Sequence, residues 1–269
     1  MVRSLSLSLL LASAAAFADM PPGGFPRAAD VQQLDNPGFS IGYSDARREA
    51  LWVEYEAHHG HWLPYQPRQV HFRADPRLQH PVEEHDYFRS HYDRGHLAPA
   101  YLIGRLYGAE AEMDSFLLSN VAPQRKRLNE LVWQRLEESE ADFELPRLKQ
   151  IWVITGPVFA AKARSIGPGI AVPEAFYRVW LHRGAGARWH VLGFVVPQNV
   201  CGTEPLEDYV TPLAEIERRT GLKLFPDFEA AAHDALDAPE SRETDWKISG
   251  FSNWPARYGD DFDLSRCPR

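Results

Sequence analysis

Two long apolar runs separated by a glycine-bearing break constrain this chain more than any other feature. Residues 175–181 (Ala-Phe-Tyr-Arg-Val-Trp-Leu) and 189–196 (Trp-His-Val-Leu-Gly-Phe-Val-Val) flank Gly184-Ala185-Gly186. Aromatic and β-branched residues at this density fit a pleated, largely buried surface, and the glycine break between them is a hairpin signal. Residues 151–155 (Ile-Trp-Val-Ile-Thr) end at Gly156-Pro157 and read as a further strand. Shorter runs at 39–43, 51–55 and 69–72 extend this into an antiparallel sheet, with polar loops around residues 58–61 and 75–85.

Two segments carry helical periodicity. In residues 125–139, Leu128, Leu131, Val132 and Leu136 form one apolar stripe, and Asn129, Trp133 and Glu137 run along its flank. Asparagine is a poor helix former, so Asn129 inside a helix calls for a reason. A second helix starts after a Thr211 cap with Pro212 at its first position, buries Leu213 and Ile216, and ends at Gly221. The expected class is α+β: a central antiparallel sheet flanked by helices.

The ends of the chain are different in kind. Met1-Val2-Arg3-Ser4, an apolar stretch to residue 18 and the small-residue site Ala16-Phe17-Ala18 read as a signal peptide cleaved after Ala18. A secreted or periplasmic protein is the expectation, with no membrane span. An irregular lead-in (19–37), a main domain (38–226) and an acidic extension (227–269) follow. Trp246, Phe251 and Trp254 would pack the extension on the domain. The only two cysteines, Cys201 and Cys267, favour a disulfide in an oxidising compartment. It would close a loop of about 67 residues, contributing roughly 4 kcal/mol in the chain-entropy model.

The formal net charge of −8 excludes a protein that coats nucleic acid along a broad basic face. It leaves room for a local basic cleft, because Arg89, Arg94, Arg125, Lys126, Arg127 and Arg135 share one segment. The acids at 137–144 and 227–263 read as solvated faces. His58-His59-Gly60-His61 lacks a fourth ligand at suitable spacing and reads as an exposed loop.

The chemistry concentrates in Tyr92-Asp93-Arg94-Gly95-His96-Leu97-Ala98-Pro99-Ala100, followed by Ser119-Asn120-Val121-Ala122-Pro123-Gln124 and Asn129. A histidine can take a proton from water near neutral pH. An arginine can grip a phosphate with two donors. An amide oxygen can ligate a hard cation such as Mg²⁺. Together these roles describe metal-assisted phosphodiester hydrolysis.

Asp93-Arg94-Gly95-His96 resembles the signature of the DNA/RNA non-specific endonucleases, the ββα-metal group that includes endonuclease G. The likeness continues through residues 97–100 and 113–124, through Asn129, Trp133, Leu136 and Glu137, and through 153–159, 172–179 and 213–226. The resemblance implies a ββα-metal nuclease fold and a Mg²⁺-dependent, sugar-non-specific endonuclease, with Mn²⁺ as a substitute metal. It implies His96 as general base, Asn129 as the one direct protein ligand of the metal and Arg94 on the phosphate. Asn120 would organise the site, and Glu137 would hold metal-bound water. The family's upstream arginine has three candidates here, Arg68, Arg73 and Arg89, with Arg68 favoured. Tyr101-Leu102-Ile103 depart from the family's more polar pattern, which leaves substrate preference open. DNA and RNA would be held through the phosphate backbone by a monomer or homodimer, and a protein inhibitor is a further expected partner. Two rivals stand beside this reading: a phosphodiesterase of small nucleotides, and a non-catalytic nucleic-acid-binding protein on a nuclease scaffold.

Overall fold

The structure is a computed structural model and describes residues 21–60, 62–64, 71–237 and 245–267. Its strands, in chain order, are β1 (Gln32–Asn36), β2 (Phe39–Ser44), β3 (Glu49–His58), β4 (Asp93–His96), β5 (Val121–Gln124), β6 (Gln150–Val158), β7 (Ser165–Ile166), β8 (Ile170–Ala171), β9 (Ala175–Arg183) and β10 (Trp189–Pro197). Six of them form one antiparallel sheet in the order β1-β2-β3-β6-β9-β10. The glycine-bearing hairpin is its β9–β10 edge, paired from Arg183↔Trp189 to Ala175↔Pro197. Helices α1 (Ala100–Tyr107) and α2 (Ala109–Ser115) lie between β4 and β5.

Strand alternation splits the core into two layers. On β9, Phe176 and Trp180 join Val53, Tyr55, Leu128, Val132 and Leu136 on one face. Tyr177, Val179 and Leu181 join Trp52, Ile154, Leu213 and Ile216 on the other. One long helix, α3, covers the first face. It runs through residues 128–148 as a π turn (Leu128–Trp133), an α turn (Gln134–Glu138), a second π turn (Ser139–Glu144) and a last α turn (Leu145–Leu148). Helix α4 (Leu213–Thr220) covers the second face and ends on Gly221, whose φ of 73° suits a residue without a Cβ.

Several expectations change on contact with the structure. The lead-in is not wholly irregular, because β1 pairs with β2 and buries Leu34. The expected strand at 69–72 is not found in its described part: Gln69 and Val70 lie outside the described residues, and His71 and Phe72 are irregular. Thr211 does not cap α4; its hydroxyl donates to the Tyr209 carbonyl at 2.9 Å, and Pro212 holds the cap position. The helix expected at 125–139 continues to residue 148, and the acids at its end are not all solvated.

Glu140 and Glu144 are fully buried. Glu140 fastens α3 to the sheet by accepting from the Tyr55 hydroxyl at 2.7 Å, Arg178 Nε at 2.9 Å and Trp180 Nε1 at 2.8 Å. Arg178 and Trp180 sit two apart on β9, so both reach the same side of the sheet. Cys201 and Cys267 are bonded, with 4.6 Å between their Cα atoms, and Trp246 and Phe251 of the C-terminal extension are buried against Trp180 of the sheet. Removing one partner of a buried ion pair strands the other charge in a low-dielectric interior. Glu140→Ala is therefore expected to lose about 3–5 kcal/mol in urea unfolding. A loss under about 0.5 kcal/mol, the level of an ordinary surface change, would show that Arg178 finds another partner or water.

Candidate active site

The chemistry-bearing segment folds into a compact ββα unit beside the main sheet. Strands β4 and β5 pair antiparallel from Asp93↔Gln124 to His96↔Val121, and α3 follows β5 after a short turn. Gly95 makes that pairing feasible: a Cβ there would lie 2.1 Å from Gln124 Oε1. Asn120 is fully buried and ties down the end of β4. Its Oδ1 accepts from the Ala98 N–H at 2.9 Å, and its Nδ2 donates to the Ala98 and Ser115 carbonyls at 3.0 and 2.9 Å. Those bonds use the amide fully in the backbone, so Asn120 is a brace and has no contact with the cleft.

Asn129 stands on the first turn of α3, and its Nδ2 donates to Asp93 Oδ2 at 3.0 Å. A carboxylate only accepts, so this bond fixes which end of the amide is nitrogen. The Asn129 oxygen is left as the amide's ligand atom. Asp93, Arg94 and Asn129 line one open cleft of about 880 Å³, together with Phe72, Arg89 and Glu130. The Glu130 carboxyl is held above the usual range, first by burial and, against the pull of Lys126, by the charge of Asp93. Arg94 lies over the Phe72 ring, 4.7 Å from its centroid, and is ion-paired to Glu84.

His96 shares the Arg94 face of β4, as strand alternation requires. Its ring packs on Phe72 at 5.3 Å and edge-on to Phe116 at 4.7 Å. The residue is not among those lining the cleft; it meets the cleft wall through Phe72. Its Nε2 is buried and has no hydrogen-bond partner among the described residues. Burial alone pushes the imidazole down to about 4, so it is neutral at neutral pH and able to accept a proton.

The remaining candidates fall elsewhere. Glu137 lines a separate cavity of about 170 Å³ with Tyr101 and Gln134. Its Oε1 faces Arg178 Nη1 at 3.9 Å, and burial, opposed by Arg178, pushes its carboxyl up to about 8. Its eight-residue offset from Asn129 carries it away along the helix, and no described cavity joins the two. Arg68 lies outside the described residues. Of its competitors, Arg73 is paired to Asp114 at 2.7 Å, whereas Arg89 lines the cleft and stacks on Phe88 at 5.0 Å. Sequence reasoning missed Phe72, which touches both His96 and Arg94. The apparent strand pattern around it masked its role, and no motif signals it.

Residues able to hold a metal fit a hard, hydrated cation. The cleft offers oxygen ligands from Asn129, Asp93 and Glu130. Among the described residues, no three His, Cys, Asp or Glu side chains converge into a cage. Mg²⁺, which keeps several waters and takes few protein ligands, suits such a site.

Comparison with known proteins agrees with this geometry. The family model described as DNA/RNA non-specific endonuclease matches residues 18–231. Human mitochondrial endonuclease G is 31% identical over 225 residues, covering 78% of this chain and 74% of that protein. The mitochondrial nuclease of Saccharomyces cerevisiae is 30% identical over 206 residues, covering 68% of this chain and 60% of its own. The solved structure of the EndoG/EndoGI complex superposes with a TM-score of 0.69 at 26% identity, covering 77% of this chain and 90% of that one. These relatives overturn the expectation of a secreted or periplasmic protein, since they are mitochondrial nucleases. A charged start followed by apolar and small residues is common to amino-terminal targeting segments and does not fix the compartment. Residues 1–18, where the signal peptide was expected, lie outside the described residues. Signature segment, ββα unit and matched relatives converge: the chain belongs to the DNA/RNA non-specific endonuclease family and is a nuclease.

Proposed function

We propose that the chain is a Mg²⁺-dependent endonuclease that hydrolyses phosphodiester bonds in both DNA and RNA, leaving 5′-phosphate and 3′-hydroxyl ends. The observation that carries this reading is the Asp93–Asn129 bond, which presents an amide oxygen in the cleft that also holds Arg94. Asn129 holds the metal, and Mn²⁺ is an acceptable substitute. When bound, the metal neutralises phosphate charge and favours departure of the 3′ oxygen.

The protein's own groups supply the rest. Arg94, released from Glu84, contacts the phosphate, and the Phe72 ring beneath it fixes its approach. His96 accepts the proton of the attacking water as the new phosphorus–oxygen bond forms and the bond to the 3′ oxygen breaks, and the departing oxygen takes a proton from solvent water to give the 3′-hydroxyl. Its neutral state and unpartnered Nε2 support this role. Asn120 acts at one remove by holding the chain that follows His96. Glu137 is supported only by the family resemblance, since it faces Arg178 in a different cavity. The EndoG/EndoGI complex supports a protein inhibitor as a partner of this chain as well.

His96→Ala is expected to lower plasmid and RNA cleavage by about 10²–10⁴-fold, the usual weight of a general base, while the far-UV spectrum stays native. Full activity in that variant refutes the assignment. Asn129→Ala should lower the rate and raise the Mg²⁺ concentration needed for half activity; an unchanged titration counts against metal ligation. The pH dependence has a definite sign. A histidine held down to about 4 stays in its accepting form as pH falls from 8 to 5, and loses it only near pH 4. The His96 Cε1–H resonance should therefore hold its neutral shift to pH 5, and a titration midpoint near 6.5 would contradict the buried environment.

A further inference from the structure

The cleft does not end at Tyr92. That ring also lines a second recess of about 290 Å³, whose walls carry Arg125, Lys162, Arg164, Glu174 and Gln198. Resting on the nuclease reading above, we propose that this recess is a strand-binding subsite, in which Arg125, Lys162 and Arg164 take backbone phosphates flanking the scissile one.

Three observations support it. First, the cations are uncommitted. Among the described residues none of the three has a carboxylate partner in an ion pair, although the chain is acidic and Arg73, Arg77 and Arg94 are each paired. The one acid in the wall, Glu174, is neutralised by Arg219 at 3.0 Å. Second, the recess is built. Gln198 is buried; its Oε1 accepts from the Arg125 N–H at 2.8 Å, and its Nε2 donates to the Pro123 and Pro173 carbonyls at 2.7 and 3.2 Å. Asn199 accepts from the Arg125 guanidinium and orients it without cancelling its charge. The Arg164 carbonyl is pinned by the Val172 N–H at 2.7 Å, at the foot of the small β7–β8 hairpin. Third, the recess is continuous with the proposed metal site. The Asn129 N–H donates to the Arg125 carbonyl at 2.9 Å, so the two residues stand one helical turn apart. That turn rises about 5.4 Å, so Arg125 opens the recess directly beside the cleft that Asn129 lines. Phosphate contacts of this kind hold register and carry no sequence information, as a non-specific enzyme requires.

The test is equilibrium binding of the full chain to a fluorescein-labelled oligothymidine of about 16 nucleotides, in EDTA, across salt. Each phosphate contact to a single strand adds about 0.7 to the slope of log affinity against log salt. Lys162→Gln/Arg164→Gln should reduce that slope by about 1.4, so that the affinity lost between 50 and 200 mM salt shrinks about 7-fold. A control removes the same charge at the far end of the β9–β10 hairpin, about 26 Å along the strands. This Arg183→Gln/Arg188→Gln variant should keep the wild-type slope. Equal slopes in wild type and Lys162→Gln/Arg164→Gln overturn the subsite, as does an equal fall in the control, which would mark a bulk charge effect. Because chelator is present, the outcome is independent of turnover. A reduced slope in a protein that never cuts on adding Mg²⁺ supports the subsite and refutes the endonuclease reading instead.

Discussion

The site depends on one fastening: the buried carboxylate of Glu140, into which the sheet donates three hydrogen bonds. Everything proposed to hold a metal hangs on the first turn of α3, and α3 has no covalent reason to sit where it does. Apolar contacts from Leu128, Val132 and Leu136 are non-directional and tolerate sliding. A buried carboxylate with three fixed donors does not. Any shift of the helix along the sheet would leave a charge unpaired in a low-dielectric interior. The two π turns fit this requirement. Widening the helix on either side of residues 134–138 changes the angular phase of the residues beyond each turn. Glu140 can then point inward while Asn129, about three turns earlier, stays at the edge of the core.

The second constraint is the tight pairing of β4 with β5. Gly95 lets Gln124 close over the strand, and alternation then sends Arg94 and His96 one way and Asp93 the other. A four-residue strand thus carries the proposed phosphate contact Arg94 and the proposed base His96 on one side, and Asp93, which anchors the proposed metal ligand Asn129, on the other. Aromatic rings separate these groups electrostatically. Phe72 and Phe116 enclose His96 in apolar surface, which removes its charge at neutral pH. Arg94 lies over the same Phe72 ring and pairs with Glu84.

The sequence made the outer parts of this design legible and hid the inner ones. The β9–β10 hairpin could be read because apolar alternation and a glycine break are local signals. Asn129 stood out because its residue type is wrong for a helix interior unless something uses it. The inward turn of Glu140 could not be read. It sits in a run of acids that looks like a solvated face, and its partners Tyr55, Arg178 and Trp180 come from distant strands. The same long-range pairing hid the surroundings of Glu137, which the family resemblance placed at metal-bound water but whose carboxylate faces Arg178. Thr211 misled in the opposite way: its hydroxyl found a nearer acceptor at Tyr209, and the helix began without it. The compartment escaped for a different reason, since a targeting address is read by a receptor and leaves only a loose compositional trace.

An acidic protein that grips a polyanion must solve a conflict that its fold makes visible. With a net charge of −8, long-range attraction to a nucleic acid is weak or repulsive. Productive contact then rests on where cations escape neutralisation by neighbouring acids. Arg73 and Arg77 are held by Asp114 and Asp75 and serve the scaffold. Among the described residues, Arg89 in the cleft, with Arg125, Lys162 and Arg164 beyond Tyr92, has no such partner. Arg94 lies between these classes, because its bond to Glu84 occupies it until a phosphate competes. A flexible exposed ion pair of this kind is worth little in water, so exchanging it for a bidentate phosphate contact costs little. In the proposed mechanism Glu84 thereby keeps Arg94 oriented until a substrate phosphate displaces it.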